Sequence, residues 1–130
     1  MTVMGKNNKR PVYLNLFKIR LPVGGILSIL HRATGAFLVL LLPVALYILQ
    51  RSLQDPAAYA EIAAQASTLV GRLVVLLIVW VFAQHFFSGV RHLLLDIGIG
   101  DSKPVARRNA WLAFAASLTV VVVALAGVCL

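Results

Sequence analysis

A chain of 130 residues that is 61% hydrophobic and only 12% charged lies outside the range of soluble domains, which are about half apolar and a quarter charged. A soluble fold of this size keeps much of its surface wet and has no interior large enough for so many apolar side chains, whereas a lipid bilayer removes the difficulty. The net charge of +8 does not indicate a nucleic-acid partner, because the basic residues flank long apolar runs and do not form one stripe.

In chain order, residues 1–21 form a basic tail with Lys6, Lys9, Arg10, Lys18 and Arg20 and no acid. The tail has neither the apolar core and cleavage site of a signal peptide nor the serine-rich character of a transit peptide, so the first helix is expected to act as its own insertion signal. Residues 22–49 are the first predicted span. Pro22 suits a first helical turn, where its missing N–H has no partner to lose. The run is apolar except around His31 and Arg32 and exceeds the roughly 20 residues that cross a bilayer core. Pro43 lies inside it, which membrane helices tolerate. Residues 50–68 are a loop with an Asp55-Pro56 turn signal and an Ala-rich stretch suited to a short surface helix.

The second predicted span is 69–95, interrupted by Gln84, His85, Ser88, Arg91 and His92. Residues 96–109 read as a loop with Gly98, Gly100 and Pro104, and 110–130 as a third, uncharged span. The single cysteine, Cys129, allows no internal disulfide and offers no paired thiols for zinc or an iron–sulfur cluster. The expected fold class is therefore an all-α membrane protein of three transmembrane helices in one membrane-anchor domain, residues 1–130. The tail and the Lys103/Arg107/Arg108 loop carry the excess of basic residues, which places both in the cytoplasm by the positive-inside rule.

Polar groups inside a bilayer are costly unless paired, and they fall here into two clusters. Ser28, His31, Arg32 and Gly35 lie within an arc of about 100° on the first span. A hydroxyl and a guanidinium on one face suit a carbonyl or an anionic ligand group. The alternative is that Arg32 reaches the headgroups while Ser28 and His31 bond neighbouring helices. On the second span His85, Gly89, His92 and Asp96 share an arc of about 60°, with Arg91 beside them. His85 lies about 16 Å from the end of that span, near mid-bilayer. An imidazole there either ligates a metal such as haem iron or hydrogen-bonds another helix. Gly89, one turn away, would let a flat macrocycle approach the backbone. His92 and Asp96 also suit a simple pair at the helix end.

Two motifs carry a family resemblance. Ser28-Ile29-Leu30-His31-Arg32-Ala33-Thr34-Gly35 is similar to S-x-x-H-R-x-x-G, and the segment from His85 to Asp96 matches H-x-x-x-G-x-R-H-L-x-x-D. With the leading segment Arg10-Pro11-Val12-Tyr13-Leu14, the chain resembles the cytochrome b556 membrane-anchor family of succinate dehydrogenase. That resemblance implies a subunit of a succinate:quinone oxidoreductase that binds haem b and ubiquinone. It implies His85 as one axial ligand of the haem iron, with the other supplied by a second small membrane anchor. It implies His31 and Arg32 at a haem propionate, and Ser28 and Arg32 at the ubiquinone. His92 and Arg91 would contact a propionate or pair structurally. The implied partners are that second anchor, an iron–sulfur subunit, a flavoprotein subunit and the lipid of a bacterial inner membrane. Two other readings remain open: the anchor of a fumarate reductase, and a structural or assembly subunit without cofactor.

Overall fold

The computed structural model describes residues 21–129, and the basic tail with its Arg10–Leu14 segment lies outside them. Four helices follow in order: α1 Val23–Ser52, α2 Pro56–Ser67, α3 Leu69–Asp96 and α4 Lys103–Cys129. There is no strand among the described residues. Three of the helices, α1, α3 and α4, are long and apolar enough to cross a bilayer, as the sequence predicts. At 1.5 Å per residue α1 runs about 45 Å, well beyond a hydrocarbon core of about 30 Å. Such helices satisfy their own backbone groups, which is why they are the form a chain this apolar takes in lipid. The apolar side chains of the second half of α1, such as Val39, Leu40 and Leu46, are exposed. The chain is a multi-pass membrane protein.

Local sequence sets the ends. Asp55 caps α2, its carboxylate accepting from the Ala58 N–H at 2.7 Å, and Pro56 follows at the first helical position. The Ala-rich stretch is thus a helix. Thr68 caps α3 by accepting from the Gly71 N–H at 3.0 Å. Between α3 and α4 the chain reverses at Gly98 and Gly100, both at φ +77°, a left-handed conformation that glycine adopts without steric penalty. One boundary differs from the sequence expectation. The third spanning helix begins at Lys103, within the predicted 96–109 loop. Pro104 falls in its first turn, where it breaks nothing, and the polar residues Arg107, Arg108 and Asn109 continue the helix beyond its apolar part. Hydropathy located the apolar core of α4 and not its start.

Packing centres on α3, which contacts α4 most extensively and α1 next. The two contacts use different faces of α3. Val81, Gln84, Ser88 and Arg91, spaced three, four and three apart, are buried. Opposite them α4 presents Ala106, Ala110, Ala113 and Ser117 at spacings of four, three and four. Small residues let helix backbones approach closely, and in lipid close packing and hydrogen bonds, not apolar burial, hold helices together. Leu27 of α1 joins Ala110 and Ala113 in the buried cluster, with Val23, Phe87 and Phe114 packed against it.

A polar clasp crosses the α3–α4 contact. The Gln84 side chain is fully buried; its Nε2 donates to Ser88 Oγ at 3.0 Å and its Oε1 accepts from Ser117 Oγ at 2.7 Å. A double-mutant cycle of Gln84→Leu and Ser117→Ala is expected to give a coupling energy near 0.6 kcal/mol and at most about 1.7 kcal/mol, as interhelical bonds in lipid do. Denaturation of the detergent-solubilised protein measures it. Strict additivity of the two changes would mean that the bond contributes nothing.

Candidate functional site

The second face of α3 turns toward α1, and there the chain's three histidines meet. His31 of α1 and His85 of α3 stack with ring centroids 4.3 Å apart and planes 11° from parallel. His92, two turns beyond His85, lies 5.2 Å from the His31 ring at 43°. Helical spacing explains the gathering: 85, 89 and 92 lie on one stripe of α3, and 31, 34 and 35 on one stripe of α1.

Each helix makes room for the other's imidazole with a glycine. A Cβ at Gly35 would fall 2.9 Å from His85 Cε1, and a Cβ at Gly89 would fall 3.2 Å from His31 Nε2. The space beside Gly89, which the sequence suggested for a flat macrocycle, is taken by the His31 ring. In this packing that glycine accommodates a side chain from the neighbouring helix.

The hydrogen bonds of His85 fix its chemistry. Its Nδ1 lies 3.1 Å from the His31 carbonyl oxygen and 3.3 Å from Thr34 Oγ1. A carbonyl only accepts, and the Thr34 hydroxyl proton is directed to the Leu30 and His31 carbonyls at 2.7 and 3.0 Å. Nδ1 therefore carries the proton, and in the neutral ring Nε2 holds the free lone pair. A backbone carbonyl holding one ring nitrogen so that the other can ligate is the usual arrangement around a metal-bound histidine. The face-to-face stack also decides what His31 cannot do. Two parallel rings in contact present their faces to each other, so His31 and His85 in this packing cannot ligate one metal from opposite sides.

The other predicted residues divide. Ser28 is half-buried and Arg32 exposed on α1; neither side chain makes a hydrogen bond or ion pair among the described residues. Arg32 sits nine residues into α1, about 14 Å from its start. A cation at that depth calls for an anion or dipole from outside this part of the chain. His92 Nε2 is buried and has no partner among the described residues. Asp96 is exposed and forms no ion pair with His92 among those residues. Arg91 does not join the histidines. It lies on the α4 side of α3, where it is 8% exposed and its Nη2 donates to the Ala106 carbonyl at 3.4 Å.

Sequence reading missed Thr34 as part of the site, although its position three residues after His31 places it near the same helix face. It also missed Gln84 and Ser117, whose partnership depends on which face of α3 meets α4.

Comparison with known proteins agrees with the two motifs. Residues 6–124 match the family described as succinate dehydrogenase/fumarate reductase transmembrane subunit. The chain is 34% identical over 122 residues to the succinate dehydrogenase cytochrome b556 subunit of Coxiella burnetii, covering 91% of this chain and 95% of that one. It is 28% identical over 116 residues to the protein of the same description from Paracoccus denitrificans, covering 89% of each. For that of Rickettsia felis the identity is 30% over 104 residues, covering 80% of this chain and 81% of the relative. A chain with three spanning helices, both motifs and a match along nearly its whole length belongs to the succinate dehydrogenase/fumarate reductase transmembrane subunit family.

Proposed function

We propose that this chain is the haem b- and ubiquinone-binding anchor subunit of a succinate dehydrogenase, seated in a bacterial inner membrane with its N-terminus in the cytoplasm. The observation that carries the reading is the state of His85: a half-buried intramembrane imidazole with Nδ1 committed to the His31 carbonyl and Nε2 left with a free lone pair. The names of the relatives, each a cytochrome b556 subunit of succinate dehydrogenase, support it.

On this reading His85 Nε2 would hold the haem iron, together with a ligand that a second small anchor subunit would supply. The stacking of His31 on His85 supports an external second ligand. When bound, haem b supplies one-electron transfer within the membrane. His31 and Arg32 face a propionate, and the unpartnered Nε2 of His92 favours the same kind of partner. Arg91 takes no part in holding the propionate, since its guanidinium lies against α4, away from the histidines. Ser28 donates a hydrogen bond to a quinone oxygen. Arg32 stabilises the negative charge that develops on the quinone as it accepts electrons, as a fixed cation does beside a developing oxyanion. The chain's tasks are to hold the iron–sulfur and flavoprotein subunits at the membrane and to shape the place where ubiquinone is reduced.

The family description covers both reaction directions. The test is a reduced-minus-oxidised spectrum and a quinone-reductase assay on the purified complex. A b-type haem band together with succinate-dependent ubiquinone reduction is the expected result. A complex that holds no haem and works only in quinol-dependent fumarate reduction would replace this reading with the fumarate reductase anchor.

A further inference from the structure

A second polar site lies apart from the histidines, at the end of the bundle where α1 and α4 begin and α3 finishes. A cavity of about 620 Å³ opens there, with Gly24, Arg91, Lys103, Arg107 and Trp111 among its walls. Arg91 is five residues from the end of α3, about 8 Å by the helical rise, so with that helix end at the membrane surface it would lie at about the level where headgroups meet the hydrocarbon.

Three observations give the cavity its chemistry. The first is Arg91 itself. It is more than nine-tenths buried, its Nε has no partner among the described residues, and its one hydrogen bond is a long 3.4 Å. A guanidinium with five N–H donors and so little to donate to lacks an anion. Gly24 lets it lie close to α1, since a Cβ there would fall 3.0 Å from Arg91 Nη2.

The second is the uncapped start of α1. Pro22 provides no side-chain cap, and the first backbone bonds of the helix are donated by Gly25 and Ile26. The N–H groups of Val23 and Gly24, both in the cavity wall, make no hydrogen bond among the described residues. An open helix N-terminus favours an anion through both its free donors and its dipole.

The third is charge balance. Arg91, Lys103 and Arg107 line the cavity against one acid, the exposed Asp101, and no ion pair forms between them among the described residues. Of the chain's other three acids, Asp55 and Glu61 belong to the α2 end of the bundle, and Asp96, at the end of α3, is exposed, is not among the cavity walls and forms no ion pair among the described residues. The twenty residues before Leu21 contain no acid.

We infer that this cavity binds the phosphate of an anionic phospholipid, gripped by Arg91 and the open amides of α1, with Lys103 and Arg107 at its rim and Trp111 and Val23 along the lipid's apolar part. Phosphate is the shared chemistry with a free inorganic anion. The lipid is favoured by the depth of Arg91 and by the apolar walls, which a small hydrated ion would not need. Tryptophan also sits commonly at this level of a bilayer.

The test uses the assembled complex in nanodiscs of phosphatidylcholine, with or without phosphatidylglycerol. Native mass spectrometry counts retained lipid and thermal unfolding gives Tm. Wild type is expected to retain phosphatidylglycerol and to show a higher Tm in its presence. Arg91→Gln is expected to lower that retention about fivefold, and the double change Lys103→Gln with Arg107→Gln about 25-fold, given the contribution of each cation near a membrane surface. If Arg91→Gln prevents assembly, the double variant decides, because both of its side chains are exposed. Equal retention by the double variant and wild type overturns the site. So does an absence of any phosphatidylglycerol dependence, the result a partner's carboxylate in the cavity would give. Inorganic phosphate that reproduces the Tm rise in phosphatidylcholine alone overturns the lipid assignment.

Discussion

His85→Ala is expected to remove haem b from the assembled complex while leaving the three spanning helices in place. The side chain is half-buried, and deleting it breaks its bonds to the His31 carbonyl and Thr34 Oγ1 and its stack on the His31 ring, with each bond costing about 0.6 and at most about 1.7 kcal/mol in lipid. Its free Nε2 has no substitute: the His31 ring lies against the same space with its face turned, and His92 is tilted and farther along the helix. Haem occupancy is therefore expected to fall by at least the roughly 10- to 100-fold that follows loss of a mere supporting residue around a metal ligand. The reduced-minus-oxidised spectrum of purified complex reads this directly. Gly35→Ala provides the graded companion. Its new methyl group would stand 2.9 Å from His85 Cε1, so the imidazole must move, and the haem band should shift or weaken with the helices intact. Wild-type haem content in His85→Ala would leave the cluster as helix packing alone.

Arg32→Leu is expected to lower succinate-dependent ubiquinone reduction by about 10²- to 10³-fold, the range for losing a group that stabilises developing negative charge. Succinate oxidation with a soluble artificial acceptor should stay near wild type, because that acceptor draws electrons before they reach the membrane. The physical basis is that Arg32 is exposed, with no partner among the described residues, about 14 Å into a spanning helix. Substitution by leucine breaks no hydrogen bond or ion pair among the described residues and should not harm folding. Ser28→Ala removes one neutral hydrogen bond and should act more mildly, by roughly fivefold for about 1 kcal/mol. Loss of both activities together in Arg32→Leu would mean failed assembly and would place the arginine in the scaffold.

Much of the site was legible in the chain itself because helices have a fixed period. The spacing of His85, Gly89 and His92 puts them on one stripe, and that of His31 and Gly35 puts those on another, before any packing is known. The structure brings the two stripes together. Arg91 shows the limit of the method. It is one residue from His92 in sequence, yet adjacent residues differ by about 100° around a helix, and this turn carries Arg91 to α4. Gly89 shows another limit, since an absent side chain states that something approaches and not what.

The sequence alone determined that the chain spans a membrane three times and where the apolar cores of those spans lie, because hydropathy is a local sum that needs no knowledge of neighbours. It also determined which polar residues share a helix face. Only the tertiary structure decided which face meets which helix: the stacking of His31 on His85, the proton position on the His85 ring, the Gln84–Ser117 clasp and the basic cavity at the start of α1. In lipid most outward faces of these helices are similarly apolar, so the rotation of each helix is set by a few small residues and hydrogen bonds between helices, and those partnerships are not written in the order of residues along one of them.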